Sequence, residues 1–341
     1  MQEAILYSKK HNKSVECSAC VWRCAISNGK TGVCGVRQNI DGKLYLLVYG
    51  RAVSASVDPM EKKPLYHFLP GAKIFSIGTI GCNFGCEFCQ NFDISQASRA
   101  GANAEDAVKS GDELTPQEVI DFCVGHHIPA IAFTYNEPAI FAEYAVDVMK
   151  LAKPHGIKGV FVSNGYETKE TLDYLKPYID AYNIDLKGFT EKFYEKVCKA
   201  KLAPVLETIK EIYKRGKWLE ITTLLVPGEN DSEAEMREIA TFIKKISPNI
   251  PWHISAFYPT YLMTDHSATM PASIERTYNI GKESGLRYVY GGNIDDEDMN
   301  KTLCPKCEAT LIRRRGFSVL ENNIKNSSCP KCGEQIAGVW K

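Results

Sequence analysis

Lys73-Ile-Phe-Ser-Ile-Gly-Thr-Ile-Gly-Cys-Asn-Phe-Gly-Cys-Glu-Phe-Cys-Gln90 is the stretch on which the reading of this chain turns. Its apolar, β-branched first half predicts a buried strand over 73–80, and Cys82, Cys86 and Cys89 follow at once. Gaps of three and two residues suit thiolates gathered on one loop better than disulfide partners. A [4Fe-4S] cube takes four ligands and this loop offers three, so one iron would stay open to a group that is not protein. A zinc knuckle or a buried cysteine cluster is the plainer alternative.

Outward from this loop, between Lys73 and Tyr290, short β-branched or aromatic runs alternate with amphipathic segments. That is the pattern of repeated βα units and a parallel sheet. Strands are expected at 73–80, 129–134, 158–163, 181–186, 218–225 and 252–258, with a short seventh at 287–290. Pro138 suits a first helical position, and Ala139 to Met149 follows with helical periodicity. The expected fold is α/β, a partial (β/α)6 TIM-type barrel over 71–298, between a Cys-rich segment 1–70 and a cysteine module 299–341. Cys82, Asn136 with Glu137, Ser163 with Asn164, Asp185 with Lys187, and Val226-Pro227 each close a different expected strand. In a parallel βα barrel those strand ends converge on one mouth, where active sites are built. Asn183, Asp185 and Lys187 alternate at period two and so share a face, where polar groups need partners.

Bulk properties narrow the function. Across 341 residues, lysine plus arginine equals aspartate plus glutamate, so no global field draws the chain to nucleic acid or an anionic membrane. With no signal-length apolar start and no run of about eighteen apolar residues, a cytoplasmic protein is expected. Eleven of the thirteen cysteines fall in three compact groups, 17–34, 82–89 and 304–332, which in a reducing compartment points to metals. Cys123 and Cys198 stand alone and read as packed thiols.

The central loop resembles the signature of the radical S-adenosylmethionine (SAM) enzymes, with Phe88 in the aromatic position before the third cysteine. The stretch Asp58-Pro-Met-Glu-Lys-Lys-Pro-Leu-Tyr-His-Phe-Leu-Pro-Gly71 and the stretch Cys89-Gln-Asn-Phe-Asp-Ile-Ser-Gln96 are similar to the AmmeMemoRadiSam-system radical SAM enzymes. Those are relatives of the pyruvate formate-lyase activating enzymes. The resemblance implies a [4Fe-4S] cluster on Cys82, Cys86 and Cys89, with SAM on the open iron. It also implies a 5'-deoxyadenosyl radical that takes hydrogen from a substrate, and an electron donor such as flavodoxin or ferredoxin. By the same resemblance, Asn136 and Glu137 meet the SAM amino group, Lys187 with Asp185 the methionine carboxylate, and Ser163 with Asn164 the ribose. Val226 flanks adenine and His253 approaches SAM. The chain departs from the activating enzymes where Tyr135 and Asn136 replace two glycines and where Ala256 stands for an arginine. Tyr66-His67 are candidates for the mouth or for a seam with the N-terminal segment. The substrate remains open among a protein glycine, a small molecule and RNA. A non-catalytic metal-bearing electron-transfer or interaction protein is the rival class.

Two further cysteine groups flank this core. Cys304-Pro-Lys-Cys307 and Cys329-Pro-Lys-Cys332 give the spacing of a zinc ribbon, and a rubredoxin-like iron would use the same ligands. Between them, Arg313, Arg314 and Arg315 read as a solvated basic hairpin. At the other end, Cys17, Cys20, Cys24 and Cys34 depart from the compact ferredoxin run. That departure favours zinc as a staple; an iron-sulfur cluster there would relay electrons inward.

Overall fold

A computed structural model of the chain describes residues 1–99 and 104–341. One eight-stranded sheet organises it. Its strands in chain order are β1 (Ser54–Pro59), β2 (Lys73–Gly78), β3 (Ala130–Phe133), β4 (Lys158–Ser163), β5 (Ala181–Asp185), β6 (Trp218–Leu225), β7 (Trp252–Ala256) and β8 (Val289–Gly292). Neighbours in the sheet are neighbours in the chain. All pairs are parallel except β1 with β2.

The crossovers contain helices α1 (Pro116–Gly125), α2 (Ala142–Ala152), α3 (Lys169–Leu175), α4 (Leu202–Lys214), α5 (Glu233–Ile246) and α6 (Pro271–Glu283). Thr115, Thr168 and Ser232 cap α1, α3 and α5 by accepting a backbone N–H three residues on. Such caps start each helix at a defined residue, which fixes the length of the loop left at the strand end. The covered sheet explains the continuous apolar runs, since parallel strands bury both faces. Phe75, Ile131, Phe133, Phe161 and Tyr182 belong to the main core, while Ile74, Ala130, Ala132, Val160 and Ala181 pack on Met60, Leu65 and Phe68 across the other face. The small alanines leave room there for the inserted 60–69 segment.

The seventh parallel strand lies at 289–292 rather than 287–290, and four others stop early, at Gly78, Phe133, Asp185 and Ala256. Their missing residues turn into the mouth loops. β1 escaped the pattern because it is an edge strand of polar residues ending in proline, with no apolar run to announce it. It lies within the expected 1–70 segment, yet it extends the central sheet. Pro138–Phe141 forms a 3-10 turn ahead of α2 because the Glu137 carboxylate takes the Ala139 N–H and tightens that turn.

The N-terminal segment forms two three-stranded antiparallel ribbons. It is fastened by the buried Arg37, which pairs with Glu143 of α2 and donates to the Ile140 carbonyl at 2.8 Å. The C-terminal module is a three-stranded antiparallel sheet of Thr302–Leu303, Thr310–Arg315 and Ser318–Asn322. Arg314 corrects the picture of a solvated hairpin: it is wholly buried and donates to the Tyr66 carbonyl at 2.7 Å, to Thr302 Oγ1 at 2.9 Å and to the Glu61 carboxylate. Period two puts Arg314 on the inner face and leaves Arg313 and Arg315 outside. Among the described residues no helix is long and apolar enough to cross a membrane.

Candidate active site

A cavity of about 480 Å³ opens at the C-terminal ends of the parallel strands. It is lined by Cys82, Cys86 and Cys89 from the loop after β2, by Asn136 and Glu137 after β3, and by Ser163 and Asn164 at the end of β4. Asp185 and Lys187 enter from β5, and Thr222 and Leu224 from β6. Residues far apart in the chain, from Cys82 to Leu224, thus face one space.

Glu137 is the hub of this wall. It is 1% exposed, and its carboxylate accepts Ser163 Oγ at 2.9 Å, Asn164 N at 2.8 Å and Ala139 N at 2.9 Å. Burial first, and the neighbouring Glu167 carboxylate second, push its pKa up to about 8. Neither carboxylate oxygen of buried Glu167 has a hydrogen-bond partner. A cation arriving beside Glu137 would reverse that shift, because opposite charge favours the ionised form. Asn164 braces the first cysteine, donating from Nδ2 to Asn83 Oδ1 at 2.7 Å and standing 3.9 Å from Cys82 Sγ. Its own Oδ1 is buried without a partner, an acceptor suited to a hydroxyl.

Lys187 Nζ pairs with Asp185 at 2.7 Å and lies 5.6 Å over the Phe88 ring. Burial pulls the ammonium down, yet the Asp185 charge and hydrogen bond together with the nearby Cys86 and Cys198 sulfurs outweigh it and hold the pKa well above its ordinary value. Phe88 stacks on Phe193 and is 4% exposed, so the aromatic residue of the loop serves as a wall. Asn136 lines the cavity but spends its amide on the cysteine loop, donating to Gly81 O at 2.8 Å and Thr79 Oγ1 at 3.0 Å. Tyr135, at the first of the two replaced glycines, keeps a left-handed backbone with φ of 70°. Its hydroxyl on Asp58 at 2.7 Å and Lys63 over its ring help offset a strain of about 1–2 kcal/mol.

Two expected residues lie elsewhere. Val226 is wholly buried with its N–H held by Asn230 at 2.6 Å, and Leu224 takes the lining position two residues earlier. His253 sits near the start of β7, at the opposite end of the strands, where it bonds the buried Glu220 at 2.6 Å; Ser255, two residues on, reaches the cavity. Tyr66 and His67 form a seam with the C-terminal module, not with the N-terminal segment: their backbone N–H groups donate to Glu220, and His67 bonds Ala337 O at 2.7 Å and Tyr290 OH at 2.6 Å.

Other contributors had no motif to reveal them. Asn230 donates to Lys187 O at 2.6 Å and Leu224 O at 2.8 Å, fixing the lysine loop against β6. Cys198 is packed in the core, as expected, and its thiol stands beside Cys86. Their only signal is proximity across the fold.

The cysteine groups differ in gauge. Cys304 and Cys332 sulfurs are 3.6 Å apart and those of Cys307 and Cys329 are 3.7 Å apart, with all four within 4.8 Å of one another. A tetrahedral ion with bonds of about 2.3 Å needs an edge of about 3.8 Å, so this set fits one ion. Among the described residues it is the set drawn that tightly.

The profile described as the Radical SAM superfamily matches residues 76–240. The chain is 39% identical over 339 residues to an uncharacterized protein of Methanocaldococcus jannaschii, covering 98% of this chain and 99% of that one. It is 25% identical over 167 residues to the pyruvate formate-lyase-activating enzyme of Clostridium pasteurianum, covering 49% of this chain and 67% of the relative. To the 4-hydroxyphenylacetate decarboxylase activating enzyme of Clostridium scatologenes it is 26% identical over 167 residues, covering 48% and 53%.

Proposed function

The chain belongs to the radical SAM superfamily, and from that premise we propose that it reductively cleaves SAM and abstracts hydrogen from a substrate yet to be identified. The observation that carries the reading is the single cavity that joins the three loop cysteines to an acceptor, a cation and hydroxyl-binding groups from separate strand ends. In this reading Cys82, Cys86 and Cys89 hold a [4Fe-4S] cluster. Such a cluster supplies one-electron cleavage of SAM to methionine and a 5'-deoxyadenosyl radical.

The chain's own groups bind and orient. Glu137 receives the methionine ammonium and loses its proton as it does so. Lys187, held by Asp185 and Asn230, takes the carboxylate through a charge-assisted bond. Ser163 and Asn164 meet the ribose hydroxyls, while Thr222 and Leu224 flank the base. Phe88 and the N-terminal segment keep water from the loop.

We further read the open sheet as a partial barrel and the C-terminal module as a zinc ribbon. An external one-electron carrier and a cytoplasmic location complete the proposal. The experiment is anaerobic reconstitution, then SAM with a strong reductant, with 5'-deoxyadenosine and methionine quantified. Product should form with the native chain and vanish in Cys86→Ala along with the loop's iron. Absence of product from a native chain loaded with iron and sulfide at the loop sinks the reading.

A further inference from the structure

The N-terminal cysteines lie against the central loop. A side chain on Gly81 would come within 2.7 Å of the Cys34 carbonyl, and one on Gly35 within 2.7 Å of Ser98. Ser98 Oγ donates to the Cys34 carbonyl at 2.8 Å, and Trp22 Nε1 to the Asn83 carbonyl at 2.9 Å. Asn83, the residue after Cys82, is 1% exposed, and its side chain stands beside the Cys20 thiol. The Asn83 Nδ2 group is a buried donor without a hydrogen-bond partner.

The gauge of the four sulfurs separates the two candidate metals. Cys17, Cys20 and Cys34 are buried and Cys24 half-buried, and the set lies within reach of one another's charge. Among the described residues the four C-terminal cysteines are the group whose sulfurs converge as for a single ion, and Cys17, Cys20, Cys24 and Cys34 do not converge in that way. One ion cannot bridge thiolates held wider than its tetrahedral edge, whereas a cluster spreads its ligands over several irons. The Val33 N–H that points at Cys24 Sγ from 3.5 Å matches the Phe84 N–H that points at Cys82 Sγ from 3.4 Å. Bonds of that kind to cluster sulfurs set potential.

We propose that Cys17, Cys20, Cys24 and Cys34 ligate a second, fully protein-bound iron-sulfur cluster, in contact with the central loop through Asn83. Its role as an electron relay rests on the function proposed above; its existence does not. In that role one electron, supplied by an external one-electron carrier protein, passes inward along Cys20, Asn83 and Cys82. The outer site is oxidised by one electron as the inner is reduced by one, with no bond or proton moved. Zinc at the same place would carry none.

The test counts acid-labile sulfide and metals after anaerobic reconstitution of the full chain and two variants. The C82A/C86A/C89A variant should keep visible charge-transfer absorption and about two to four sulfides per chain. A colourless variant with no sulfide and two zinc ions overturns the proposal. Should that variant misfold, Cys17→Ala with Cys24→Ala decides: a loss of about two to four sulfides relative to the native chain supports the cluster, and an unchanged count overturns it. The C-terminal site holds a single ion without sulfide and does not enter the count. Failure of the central-loop reading would show separately, as sulfide unaffected by the triple substitution.

Discussion

Replacing Glu137 by glutamine tests whether the buried carboxylate carries a proton before SAM arrives. Its pKa stands near 8 against an ordinary 4.5. Between those values the unfolded chain has released the proton and the folded chain keeps it, so native stability falls as pH rises. At about 1.4 kcal/mol per pH unit, the full span is worth about 5 kcal/mol, a ceiling because Glu167 shares the site. Glutamine removes this pH dependence. It also leaves one of the N–H donors from Ala139 and Asn164 facing an amide NH2, at a cost of about 1–3 kcal/mol. At pH 5 the variant should therefore be the less stable protein, and by pH 8 the order should reverse. The measurement is the guanidinium midpoint of metal-free native and E137Q chains from pH 5 to 8.5, so that the titrating thiols cancel in the difference. A stability gap that stays constant with pH means Glu137 is already ionised in the fold and refutes the raised pKa.

Lys187→Met should weaken SAM binding about 10- to 150-fold, the worth of one charged hydrogen bond, with iron content unchanged; calorimetric titration reads it. Glu220→Ala strips the Tyr66 and His67 N–H groups, the Trp218 indole and His253 of their shared acceptor. It should cost about 3–5 kcal/mol in denaturant unfolding, far more than a surface carboxylate. Cys307→Ser should release one metal ion per chain, seen by elemental analysis, and lower the thermal midpoint, because binding energy at a structural site is folding energy.

The parallel core was legible because buried strands are continuous apolar runs, and the polar residues that interrupt them could only sit at strand ends. That logic located Glu137, Ser163, Asn164, Asp185 and Lys187 on one wall. It failed for His253 because period two names a face and not a height: His253 and Ser255 share the face, and only the second reaches the mouth. Arg314 was opaque for a related reason, since a triple-arginine run looks solvated until a partner sheet claims its middle member. β1 carried no apolar run, and Asn230 and Cys198 act through neighbours distant in sequence.

Glu137 and Glu220 make the sharpest contrast in the fold. Both are buried glutamates that face the same side of the sheet from opposite ends of its strands. Burial pushes each pKa up. At Glu220 the bond from His253, the nearby His67 and the Trp218 indole outweigh it, and the carboxyl sits below its ordinary value. At Glu137 three short bonds do not suffice against burial, because Glu167 adds a like charge and, among the described residues, no cation offsets it. A buried carboxylate supplied with donors is finished, and its work is to hold the Tyr66-His67 segment against which the C-terminal module packs. A buried carboxylate left short of positive charge keeps its proton, and a cation entering from the cavity would favour its release. An ammonium beside three thiolates on one loop is what the amino-acid end of SAM would bring.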